Sequence, residues 1–107
     1  MTLSDIEKLY LEKYQALKAA LDAEITAKIR LDEKYAAFQA EMIAHKNGNY
    51  EDTKLELLRT ANGKDLHDLW RAADMDLSRK AAERVLLQAD LFWCITWAGV
   101  ARTAGVE

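Results

Sequence analysis

No proline occurs anywhere in this 107-residue chain, and glycine stands only at positions 48, 63, 99 and 105. Proline ends or kinks a helix, because it lacks the amide hydrogen and its ring collides with the preceding turn. Ala, Leu, Glu, Lys and Arg, the strong helix formers, fill most of the sequence. With 50% hydrophobic and 31% charged residues the chain has enough apolar side chains to fold, unlike a disordered segment. The expected class is all-α.

Two Asn-Gly pairs punctuate the chain, Asn47-Gly48 and Asn62-Gly63. Glycine just past a helix end adopts the left-handed cap conformation without a Cβ penalty. Asn49 or Asp52 can start the next helix after the first pair, and Asp65 after the second. At the front, Ser4 and Glu7 have the spacing of a capping box. These signals predict helices over 5–46, 51–61 and 65–103. Inside the last one, Asp74 to Ser78 is the one place where a further helix could begin.

At 1.5 Å per residue the first and last helices would run about 63 and 58 Å. Such lengths predict an elongated antiparallel helical hairpin of two long helices with a short intervening helix, a single domain over residues 1–107. The alternative is a compact monomer in which the first helix bends near residues 24–28. Apolar residues at Leu3, Ile6, Tyr10, Tyr14, Leu17, Leu21, Leu31, Tyr35, Phe38 and Met42 recur at helical spacing and define the expected packing stripe.

Polar residues interrupt both long stripes. Glu24 and Lys28 stand where the first calls for apolar groups, and Arg84 and Gln88 do so in the last helix. If the two helices pair across the 46–65 connection, facing residue numbers total about 111. Glu24 then lies level with Gln88, and Lys28 with Arg84. A polar layer at matched height sets register in helical pairs, so Glu24, Lys28, Arg84 and Gln88 are expected to form one.

Leu91 to Ala101, LFWCITWAGVA, has Thr96 as its only polar side chain and holds two of the three tryptophans. A helix apolar on every side must be covered. Extended back to Val85 the run reaches seventeen residues but takes in Gln88 and Asp90, short of the about 20 apolar residues of a membrane span. One partner helix covers only part of such a cylinder. Leu91, Phe92, Trp93, Ile95, Trp97 and Val100 are therefore expected to form an oligomer or partner interface. A homodimer that completes a four-helix bundle is the simplest cover. Tyr50, Leu55, Leu57 and Leu58 of the middle helix are a second candidate surface for an unidentified protein partner.

The remaining chemistry is sparse. Single Cys94 excludes an intramolecular disulfide and sits among apolar neighbours, where a thiol serves packing. Glu41, His45, Asp65 and His67 could bring carboxylate and imidazole ligands together, but no H-E-x-x-H or paired Glu-x-x-His motif is present. No cofactor and no catalytic set are expected. Arg79, Lys80 and Arg84 form a small basic group, with Arg71 one or two turns earlier, but Asp74, Asp76 and Glu83 are interleaved and the net charge is -3. A nucleic-acid binder usually shows a basic face or stripe. The segment MTLSDIEKLYLEKY lacks the apolar core of a secretory signal, and the expected compartment is the cytoplasm. The function expected is a non-catalytic protein-binding module: an adaptor, assembly factor or inhibitor. Small accessory proteins of phages and plasmids share this build, an analogy at the level of fold alone. The alternatives are a nucleic-acid-associated regulator and a metal-binding bundle.

Overall fold

The computed structural model describes residues 2–46 and 48–105. Among them are three α-helices and no strand: α1 (Leu3–Ala44), α2 (Tyr50–Leu58) and α3 (Ala61–Thr103). α3 runs through Asp74–Ser78 without interruption.

The helix ends are set by local hydrogen bonds. At the start of α1 the reciprocal box is made by Thr2 and Asp5, two residues ahead of Ser4 and Glu7. The Asp5 amide donates to Thr2 Oγ1 and the Thr2 amide to Asp5 Oδ2, each at 3.2 Å. Hydrogen bonds from the Thr2 side chain and then its backbone hold the Asp5 carboxyl below its ordinary 3.8. Before α2, Gly48 takes the left-handed conformation at φ 74°, while Asn47 lies outside the described residues. Asn49 caps α2, its side chain accepting from the Asp52 amide at 2.9 Å.

The second Asn-Gly pair is not a break. Asn62 and Gly63 lie in the first turn of α3, and Asp65 follows the helix start. Thr60 is the cap: its Oγ1 accepts from the Gly63 amide at 3.0 Å and its hydroxyl donates to the Leu57 carbonyl at 2.7 Å. Glycine is needed at 63 for space. A Cβ there would collide with the Leu57 carbonyl oxygen and come within 2.6 Å of Leu57 Cγ. The tight turn between α2 and α3 leaves no room for a side chain.

The structure comprises two compact units, each holding part of α1 and part of α3. Residues 25–79 gather around Phe38, Met42 and Leu57, with Leu58, Leu66 and Trp70 packed against them. Phe38 is fully buried, a burial that stabilises by about 1.5–3 kcal/mol. Trp70 stacks on Phe38 at 5.5 Å between ring centroids, and Tyr35 meets Trp70 edge-on at 5.1 Å. α2 reaches this core through Leu57; Thr53, also buried, returns its hydroxyl to the Asn49 carbonyl.

The other unit holds α1 up to Glu24 and α3 from Lys80. Its two segments run antiparallel, for Lys13 meets Asp90 while Glu24 meets Arg84. Ile6, Leu91, Cys94 and Ala101 are buried in it.

The observed register differs from the expected one. Tyr35 with Trp70 and Phe38 with His67 each total 105, Lys13 with Asp90 totals 103 and Glu24 with Arg84 totals 108. The shift follows from the helix ends. α1 stops at 44 and α3 starts at 61, so the ends total 105 rather than the 111 of 46 and 65. The packed stripe is rotated as well. Positions of α1 withdrawn from solvent at helical spacing include Ile6, Leu9, Lys13, Leu17, Ala20 and Glu24 in one unit, and Ala27, Leu31, Lys34, Phe38 and Met42 in the other. Tyr10, Tyr14, Leu21 and Tyr35, expected in the stripe, stay exposed. Small residues such as Ala27 and Ala73 are buried instead.

Candidate functional site

From Leu91 onward, the positions of α3 withdrawn from solvent are Leu91, Cys94, Ala98 and Ala101. Their spacing of three, four and three keeps them on one side of the helix. Three of the four are small, and they occupy the side that turns inward. The bulky residues therefore fall on the remaining faces. Trp93 and Trp97 are each 57% exposed, and Phe92, Ile95 and Val100 are exposed as well. Leu91 differs from the other five expected interface residues, being buried within its own unit.

One flank of this segment forms a groove with α1. Its volume is about 700 Å³, and it is lined by Ile6, Leu9 and Lys13 from α1 and by Asp90, Trp93, Cys94, Trp97, Val100, Ala101 and Ala104 from α3. Lys13 Nζ and Asp90 Oδ2 lie 3.2 Å apart and are the charged pair of the lining, both partly exposed. The bulky α3 residues of the lining are the two indoles, and Cys94, Ala101 and Ala104 are its small ones. The sequence stripe did not select Leu9, Lys13, Asp90 or Ala104. The available signal was the spacing of Cys94, Ala98 and Ala101, which fixes the inward side of α3 by size rather than by hydropathy.

Of the four residues expected in a polar layer, three meet. Arg84 Nε donates to Glu24 Oε2, and Arg84 Nη1 donates to Gln88 Oε1 at 2.9 Å. The Glu24 and Arg84 side chains are about three-quarters withdrawn from solvent. Lys28 instead donates to Asp32 Oδ1, one turn along α1 at 2.7 Å, and that pair is exposed.

The carboxylate and imidazole residues do not converge. His45 Nδ1 lies 3.0 Å from the Glu41 carbonyl oxygen and 3.2 Å from Glu41 Oε2, within one helical turn. His67 meets Phe38 and Trp70 in T-shaped contacts, each 5.5 Å between centroids. Among the described residues no three of His, Cys, Asp and Glu group as metal ligands would. In the basic group, Arg71 lies 3.8 Å from Asp74 and Arg79 2.8 Å from Asp76. In the middle helix Leu57 is buried, and Tyr50 and Leu55 are exposed. No helix of the described residues is long and apolar enough to cross a membrane. No family model, curated protein or solved structure matches the chain.

Proposed function

We propose that this chain is a non-catalytic helical protein-binding module, an adaptor, assembly factor or inhibitor, acting through the Trp-rich side of α3 as a homodimer. Two hairpins would pack into a four-helix bundle, with coiled-coil-like crossing near 20°. The observation that carries this is the placement of size: small side chains inward at 94, 98 and 101, indoles outward at 93 and 97. A free-standing helix pair would gain by the opposite arrangement.

Burial of the indoles alone roughly offsets the cost of association. At 57% exposure, each indole leaves roughly 140 Å² uncovered if a Trp carries about 250 Å². Covering four of them in a dimer is worth about 14 kcal/mol gross at 25 cal/mol per Å². That is of the order of the 4–15 kcal/mol or more that association costs. The free thiol of Cys94 suits a reducing compartment, and we place the protein in the cytoplasm.

Light scattering tests the proposal. The wild type should give twice the 12.2 kDa of one chain, and Trp97→Asp should give the mass of one chain with helical circular dichroism retained. A wild type that scatters as a monomer, with a mass and melting curve that Trp97→Asp leaves unchanged, would remove the interface assignment.

A further inference from the structure

Resting on the homodimer proposed above, we infer that the occupant of the α1–α3 groove is the same face of a second copy, set on a two-fold axis. In that arrangement Lys13 of each protomer pairs with the partner's Asp90.

Three features of the groove favour a second copy over a foreign helix or a small ligand. The first is shape. A two-fold interface brings one patch onto itself, so it needs a projection and a recess side by side. Trp93 and Trp97 project, while Ala101 and Ala104 leave space beside them. The second is charge. The lining carries one cation and one anion, Lys13 and Asp90. A patch with one of each sign is complementary to itself under a two-fold rotation. A groove built for an acidic or a basic peptide would carry an excess of the opposite sign.

The third is extent. At 57% exposure the two indoles alone present close to 300 Å². That is more than a third of the roughly 800 Å² each partner contributes to a standard interface. Leu86 and Val100, both exposed, lie on the same side of α3 at helical spacing and extend the face. A small ligand is normally enclosed over about 70–90% of its surface. It would leave this open, two-walled face largely wet.

Lys13 and Asp90 now pair within one protomer, partly exposed at 3.2 Å. Exchange across the axis keeps one carboxylate for every ammonium, so no charge is left unpaired when the face is covered.

Mixing charge-reversed variants tests the exchange. Lys13→Glu alone would oppose two carboxylates at each end of the dimer, and Asp90→Lys alone would oppose two ammonium groups. Each should weaken self-association by roughly tenfold, two like-charge contacts of ordinary surface magnitude. A 1:1 mixture restores both intermolecular pairs and leaves both intramolecular pairs repulsive. Sedimentation and native mass spectrometry should therefore show a heterodimer with wild-type affinity. If the wild type is a dimer and the mixture binds no better than the variants alone, the exchange is overturned while the homodimer stands. If the wild type sediments as a monomer, the second copy is overturned as occupant together with the homodimer. Circular dichroism of each variant at matched concentration shows that the fold survives the substitution.

Discussion

Replacing Gly63 by alanine sets two magnitudes against each other. In a helix interior alanine exceeds glycine by about 1 kcal/mol, and position 63 lies within α3. Propensity alone therefore predicts a more stable protein. The structure predicts the reverse. The new methyl group would collide with the Leu57 carbonyl oxygen, and Leu57 Cγ and Cδ1 would lie 2.6 and 2.8 Å away. Leu57 is buried against Phe38 and Met42, so its side chain cannot swing aside without opening that core. The carbonyl also accepts the Thr60 hydroxyl and is fixed by the turn. Overpacking of a tight site costs about 1–3 kcal/mol, and a backbone collision places this case at the upper end. After subtraction of the propensity gain, Gly63→Ala should destabilise by about 2 kcal/mol. For a domain of this size that lowers the melting temperature by roughly 8–10 °C. Gly99→Ala is the internal control, because a Cβ there meets nothing within 4 Å. It should raise stability by about 0.5–1 kcal/mol. Thermal and urea unfolding followed at 222 nm, at one protein concentration, measures both. A Gly63→Ala protein as stable as wild type would refute the close approach of α3 to Leu57.

Two further outcomes follow from the side-chain pairs. In a double-mutant cycle, Glu24→Ala and Arg84→Ala should couple by about 1 kcal/mol, because the pair is largely withdrawn from water, whereas Lys28→Ala and Asp32→Ala should couple by under about 0.5 kcal/mol. Equal couplings in urea unfolding would contradict the placement of Lys28 outside the cluster. Thr60→Ala should cost about 1 kcal/mol through loss of the α3 cap, and Asp65→Ala under about 0.5 kcal/mol; the reverse order would return the helix start to Asp65.

The number of helices and their order were legible because proline is absent and strong helix formers are continuous. The connections were only partly so. Asn62-Gly63 has the composition of a helix stop, and nothing in two letters distinguishes a glycine chosen for positive φ from one chosen for lack of volume. Gly48 is the first kind and Gly63 the second. That ambiguity moved the start of α3 by four residues and, with α1 ending two residues early, shifted the interhelical register. Thr2-x-x-Asp5 and Ser4-x-x-Glu7 are overlapping frames of one motif, and the outer frame closes. The buried stripe was misplaced for a related reason. Hydropathy ranks Tyr10, Tyr14 and Leu21 as core, but Ala20 and Ala27 are withdrawn from solvent while these bulkier groups stay exposed. At the candidate site the apolar segment itself was plain from composition. Which of its residues turn inward required the size pattern at 94, 98 and 101.

The pairing of Glu24 with Arg84 joins residues 60 positions apart. On a ribosome adding about 5–20 residues per second, Glu24 waits roughly 3–12 seconds for its partner to be made. Phe38 and Leu57 are far closer in sequence, so their cluster can form while the rest of α3 is still being synthesised. The two units are therefore born at different times. The apolar side of early α1, with Ile6 and Leu9, waits longer still, because the α3 residues that line the same groove, Trp93 to Ala104, are made later than Arg84.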